Sequence, residues 1–158
     1  MLEVLPKRFA RYGLTLHPTK TRLVRFRPLP GQRAETFDFL GFTHYWGKSR
    51  QGKLIVKRKT AKGRLRRGLK RIALWCQRYR HLPVREQHRL LTNKVRGHNA
   101  YFGIRGNMRA LQLFRREAEK IWIKWLCRRS QKASFSWDKA NQLLALLPLP
   151  YARIVHQC

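Results

Sequence analysis

The feature that most limits what this chain can become is its charge: 37 Lys and Arg stand against seven Asp and Glu, a formal net charge of +30. A folded domain with that balance repels itself. A polyanion relieves the repulsion, and its binding gains entropy from released counterions. The chain can still fold, because 43% of its 158 residues are apolar and 11% aromatic, unlike a disordered basic tail. Basic charge interleaved with aromatics points to nucleic acid as the partner. A membrane partner is not indicated. No run reaches the ~18 apolar residues of a spanning helix, and the opening MLEVLPKRFARYG lacks the charged-then-apolar order of a secretory signal. Cys76, Cys127 and Cys158 lie far apart without zinc-type spacing, and the first two fall in apolar helical patterns. Buried, unpaired thiols fit a reducing cytoplasm, which is the expected location.

The hydrophobic period changes near residue 60. Before it, residues 3–12 read as a short helix, with Leu5, Phe9 and Tyr12 spaced by four and three, and Gly13 ends it. Leu23 to Phe26 reads as a strand, and Arg27 to Ala34 as a loop holding Pro28, Pro30 and Gly31. Thr36 to Trp46, TFDFLGFTHYW, reads as a single strand with Gly41 as a bulge or close approach. After a turn over Gly47 to Gly52, Lys53 to Lys59 returns to complete a hairpin. A two-stranded hairpin is marginal in water, so this part needs support from elsewhere.

From Thr60 onward the pattern is helical. Leu65, Leu69, Ile72, Cys76 and Tyr79 share one face, leaving Arg66, Arg67, Lys70, Arg71 and Arg78 mostly off it. Pro83 precedes a second helix, Val84 to Phe102, with Leu91, Val95, His98 and Phe102 inward. His98 on that apolar face reads as a satisfied core histidine before it reads as a ligand or base. Asn107 suits the N-cap of a third helix, which turns Leu111, Phe114, Ala118, Ile121 and Trp125 inward. Arg115, Arg116, Lys120 and Lys124 lie on its other faces, and Trp122 and Trp125 read as core before base-stacking platform. Ser136 caps a fourth helix after a basic linker, with Asp138 well placed against the dipole and Leu143, Leu144 and Leu147 inward. Pro148 stops it, and the tail PLPYARIVHQC is expected to lie along the surface. The expected fold is α+β: a small N-terminal helix and β-hairpin followed by an α-helical bundle.

Asn93 to Gly106, NKVRGHNAYFGIRG, gathers Lys94, Arg96 and Arg105 with Tyr101 and Phe102, amide and imidazole groups, and three glycines. Cations hold phosphates, aromatics stack on bases, and glycine lets backbone approach a ligand. Two readings stand: a binding segment that joins the flanking basic helices into one surface, or a helix end plus a Gly turn with its aromatics in the core. The acids are Glu3, Glu35, Asp38, Glu86, Glu117, Glu119 and Asp138, and no neighbouring pair suits a two-metal site with ions about 4 Å apart. Glu117 and Glu119 point in different directions along a helix, and no phosphate-cradling Gly-Lys loop is present. The residues alone describe a nucleic-acid binder with no self-contained active site, and a general basic RNA-binding protein fits that description too.

Three stretches, and the C-terminal one besides, resemble the reverse transcriptase/maturase proteins encoded by group II introns. GLTLHPTKTRLVRF (Gly13 to Phe26) is similar to the segment near the end of the family's polymerase palm, and FDFLGF (Phe37 to Phe42) to its last palm motif, the primer-grip hairpin. NKVRGHNAYFGIRGNMRAL with the following FRREAEKIWIKWLCRRSQ resembles the maturase-specific thumb, and PLPYARIVH the usual C-terminus. The resemblance implies a palm remnant over residues 1–59 and a helical thumb over 60–158. The family's fingers, most of its palm and its Tyr-Ala-Asp-Asp metal motif would precede Met1. The catalytic aspartates therefore do not carry over, Mg²⁺ would belong to that preceding part, and no cofactor is expected in this chain.

Of the matched positions, Lys20 corresponds to the palm lysine beside the nucleotide's leaving group, with a structural or solvent-exposed cation as its other reading. Phe39, Leu40 and Gly41 correspond to the primer-grip turn, and Arg96, Gly97, Asn99, Tyr101 and Phe102 to the thumb segment. With the basic helix positions Arg66, Arg67, Lys70, Arg71, Lys94, Arg105, Arg115 and Arg116, these are the candidate nucleic-acid contacts. The implied partner is group II intron RNA, or an RNA–DNA hybrid, bound without polymerisation. The alternative is that the chain is one part of a split RNA-directed DNA polymerase completed by an upstream chain.

Overall fold

The computed structural model describes residues 3–19, 21, 23–28, 34–129 and 136–156. The fold is α+β, as expected, with five α-helices and one small antiparallel sheet among the described residues. Helix α1 (Val4–Ala10) runs into a turn that closes at Gly13, where φ is +66°. Residues 23–26 are irregular instead of a strand. They are still tied to the sheet, because Trp46 Nε1 donates to the Phe26 carbonyl at 2.6 Å. The Phe26 ring packs edge-on to Phe37 at 4.8 Å and against Trp46 at 5.5 Å.

The expected single strand over residues 36–46 is two strands. β1 (Phe37–Phe39) and β2 (Phe42–Lys48) pair antiparallel with Phe39 opposite Phe42, so Leu40 and Gly41 form a two-residue turn. Both have positive φ, +48° and +84°. That combination makes the hairpin turn whose twist matches its flanking strands. Apolar residues continue through the turn, so the alternating pattern hid it, whereas the resemblance to a primer-grip hairpin pointed to a turn. β3 (Leu54–Thr60) then pairs with β2, Phe42 opposite Thr60 and Lys48 opposite Leu54, giving a meander of order β1-β2-β3. Ser49 holds the second turn by accepting from Gln51 N and Lys53 N through its Oγ.

Helices α2 (Lys62–Arg78), α3 (Val84–Phe102), α4 (Met108–Cys127) and α5 (Trp137–Leu146) make the bundle. Its core holds Ile72 and Cys76 of α2, Leu91 and Val95 of α3, and Phe114, Ala118 and Trp122 of α4. The α4 stripe departs from the expected one. After Ala118 the buried positions are Trp122, Ile123 and Leu126, with Ile121 and Trp125 only half-buried at the margin. Trp122 is fully buried and donates to Gln87 Oε1 at 3.0 Å. Gln87 Nε2 in turn donates to the Arg80 and Leu82 carbonyls, tying the α2–α3 connection to α4. A Gly at position 68 lets α2 approach α4, since a Cβ there would lie 3.1 Å from the Phe114 ring. Burial pushes the Cys76 thiol up to about 12, which keeps it protonated and unreactive. No helix among the described residues is long and apolar enough to cross a membrane.

Ser136 caps α5 as expected, accepting from Lys139 N. The tail does more than lie on the surface. Leu149 is buried in the core, Val155 N and His156 N both donate to the Gly103 carbonyl, and His156 bridges to Ile104 in parallel. Gly103 has to be glycine, because a Cβ would sit 2.3 Å from the Asn99 carbonyl oxygen.

Asn107 occupies the N-cap position of α4 but its side chain makes no capping bond. It reaches instead to the sheet: Oδ1 accepts from Thr60 N at 2.8 Å, and Nδ2 donates to Thr60 Oγ1 and the Phe102 carbonyl, both at 2.8 Å. Both Thr60 and Asn107 are buried, so an unpartnered Thr60 N–H would be costly. Asn107→Ala is expected to lower stability by about 1–3 kcal/mol. Urea unfolding checks it, through a reduced midpoint at unchanged m. An unchanged midpoint would show that this link does not hold the sheet to the helices.

Candidate nucleic-acid interface

Successive helix residues are turned by about 100°, so residues three and four apart fall near one row. Arg64, Arg67 and Arg71, at spacings of three and four, therefore share one row of α2, and they line a groove of about 340 Å³. The opposite wall is the row of α3 that carries His98 and Tyr101, with Phe102 beside it, and the Leu40–Gly41 turn closes one end. At the other end Lys94 Nζ lies 5.4 Å from the Trp75 ring centroid. The two helices run antiparallel along this seam, Arg64 near Phe102 and Trp75 near Lys94.

The closed end is built by the sheet. Phe42 stacks on Tyr101, with ring centroids 6.1 Å apart, and meets Phe102 edge-on at 5.3 Å. The Tyr101 hydroxyl donates to the Leu40 carbonyl at 2.9 Å, and Ala61 N donates to the Gly41 carbonyl at 2.9 Å. Phe39, Leu40 and Tyr101 remain 60%, 66% and 55% exposed, so an apolar and aromatic rim flanks the arginines. Such a rim with cations beside it suits a phosphate backbone on one side and sugar or base on the other.

Few carboxylates compete for these cations. Among the described residues the ion pairs are Arg115 with Glu119 at 3.0 Å and Lys120 with Glu117 at 2.9 Å, both away from the groove. Asp38 accepts from Thr43 Oγ1, and Glu35 from Arg25 N. No three His, Cys, Asp or Glu residues converge as metal ligands among the described residues.

The sequence candidates separate into groups. Leu40, Gly41, Arg67, Arg71 and Tyr101 meet in the groove, Phe39 stands at its rim and Lys94 at its far end. Gly97 lies on the same side of α3 with open space at its Cβ position. Arg66 and Lys70 are exposed on the neighbouring row of α2. Arg96 and Asn99 face the other way, toward the C-terminal segment. Arg115 is ion-paired to Glu119, and Arg116 lies beside a cleft between α4 and α5. Arg105 is exposed in the α3–α4 turn, which Gly106 makes at φ +88°. Lys20 lies outside the described residues. One continuous surface through residues 93–106 is thus replaced by a helix whose candidate residues divide between two sides: Asn93 to Phe102 is helical and only Gly103 to Gly106 turns. Arg64 was missed, although its spacing of three and seven from Arg67 and Arg71 was readable in the sequence.

His98 packs in the groove floor, stacked on Phe114 with centroids 3.6 Å apart. It is not a satisfied histidine, since its Nε2 is buried without a partner among the described residues. Burial lowers its pKa to about 4, so at neutral pH it adds no charge to the groove. The unfolded chain protonates near 6.5 and the folded one only near 4, so the unfolded state binds more protons between those values. Stability is expected to fall as pH drops from about 6.5 to 4. His98→Phe keeps the stack and should flatten that dependence, as read from melting temperature against pH; an equal slope in both proteins would assign the loss to other groups.

Compared with known protein families, curated proteins and solved structures, the chain gives no match.

Proposed function

We propose that this chain is an RNA-binding, maturase-type thumb region with the end of a reverse-transcriptase palm. It holds RNA along the α2–α3 groove and does not itself transfer nucleotides. One observation carries the reading: Arg64, Arg67 and Arg71 share a row opposite Tyr101 and beside the Leu40–Gly41 turn, all lining one groove. A net charge of +30 supplies long-range attraction for a polyanion. The groove supplies position, because guanidinium groups bind phosphates in a fixed fork. The Phe39–Leu40–Gly41 turn supports the strand backbone, the role its resemblance to a primer grip implies. Group II intron RNA is the proposed ligand, with an RNA–DNA hybrid as the related one.

Filter binding of a structured group II intron RNA across a salt series tests this. Arg67→Ala with Arg71→Ala should weaken binding by about tenfold to a hundredfold. It should also reduce the slope of log K against log salt by about 1.5, near 0.7–0.9 per lost phosphate contact. Unchanged affinity and slope would remove the groove from the interface. Equal binding to ribosomal and intron RNA would favour a general basic RNA-binding protein. On a primed RNA template the chain alone should incorporate no nucleotide, and robust extension would overturn the non-catalytic part of the proposal.

A second reading makes the chain one part of a two-chain polymerase. It is favoured by the edge strand β3, where Leu54, Ile55 and Val56 are 55%, 41% and 45% exposed in succession. Co-purification with a chain carrying Tyr-Ala-Asp-Asp would support it.

A further inference from the structure

We infer that the opposite side of α3 carries a second RNA site, a pocket for one unstacked nucleotide, so that the protein holds two RNA segments at once. The inference rests on the RNA-binding reading above and adds a separate surface to it. On α3, Arg96, Asn99 and Ala100 lie about half a turn from Lys94, His98 and Tyr101. With Pro150, Tyr151 and Arg153 of the C-terminal segment they line a cavity of about 590 Å³. That volume falls within the range of about 300–1,000 Å³ found for small-molecule sites.

The pocket has the two parts a nucleotide needs. Tyr151 is 72% exposed, yet one side of its ring is covered by the Arg115 guanidinium, 4.1 Å from the centroid. Glu119 pairs with that guanidinium, so the platform is braced and its charge is balanced. The backbone that carries the ring is anchored, since Asn99 Nδ2 donates to the Tyr151 carbonyl. A Tyr braced on one side and open elsewhere is a stacking surface for a base. Arg96 and Arg153 are exposed at the same cavity and neither is in an ion pair among the described residues. They are the phosphate partners. An acidic peptide would satisfy the arginines but leave the aromatic platform unused, which is why a nucleotide fits better.

The two sites face away from each other across one helix, so a single continuous strand does not fill both directly. The geometry suits an RNA whose separate segments must be held side by side. A bridging measurement tests this with the full chain. A biotinylated group II intron hairpin is immobilised and loaded with protein. Retention of a fluorescent oligoadenylate of about ten nucleotides is then read. Wild-type protein should retain the second strand. Tyr151→Ala and Arg153→Ala should bind the hairpin as before but lose oligoadenylate retention by about tenfold. Tyr151→Phe should restore it, and melting temperatures should match wild type within the scatter. Retention by Tyr151→Ala and Arg153→Ala equal to wild type overturns the pocket, as does wild-type protein that holds the hairpin and never the second strand. Failure to hold the hairpin at all overturns the RNA-binding reading itself.

Discussion

Phe42 sits where everything else meets. Its ring stacks on Tyr101 and abuts Phe102, and its backbone partner across the sheet is Thr60, which Asn107 grips from the α3–α4 turn. A meander of three short strands has little independent stability. It is ordered here because two buried side-chain links and an aromatic cluster fasten it to the end of α3. That attachment places the Leu40–Gly41 turn at the mouth of the α2–α3 groove. Without it the arginines of α2 would line a bare helix face, and the exposed Phe39 and Leu40 would have no fixed relation to them.

The same design answers the charge problem. The core is assembled from residues that carry no charge, and the buried polar residues beside it are Thr60 and three amides, Gln87, Asn99 and Asn107, that donate to backbone carbonyls. Repulsion among surface cations is reduced by few acids. It is partly offset by aromatic faces instead, as Lys94 over Trp75, Arg128 over Trp125 and Lys59 over Tyr45. Each such contact is worth about 0.5–1 kcal/mol at exposed sites. They also hold cations in place without neutralising them, which leaves the field available to a polyanion.

Periodicity made the helical half legible. The bounds of α3 and the buried face through Leu91 and Val95 followed from spacing alone, as did the exposed arginine rows of α2. It failed where two patterns overlap. FDFLGF carries apolar residues through its own turn, so periodicity alone reads one strand, whereas the resemblance to a primer grip points to the reversal at Leu40 and Gly41, where φ is positive. On α4, both Ile121–Trp125 and Trp122–Leu126 continue the stripe from Ala118, and packing against Gln87 chose the second. The buried amides were illegible for another reason. Asn107 looks like a cap, and only its distance to Thr60, 47 positions earlier, reveals the link between sheet and bundle. Likewise, nothing local in PLPYARIVH says that Leu149 enters the core while Tyr151 stays out.

Gly97 shows how local stability and the proposed interface pull against each other. An exposed glycine in the interior of a helix is less stable than alanine by about 1 kcal/mol. Packing gives no reason for it: a Cβ at Gly97 would meet nothing within 4 Å, in contrast to Gly68 against Phe114 and Gly103 against Asn99. Its position does give one. Gly97 lies three residues after Lys94 and four before Tyr101, so it shares their side of α3. A side chain there would stand up from the groove wall between the cation and the aromatic. Its absence leaves a low stretch of helix across from the α2 arginines, and under the proposed function that is where a phosphate backbone comes close to α3. The helix accommodates the loss because Leu91 and Val95 on its inner face are completely buried, so packing and not propensity holds it.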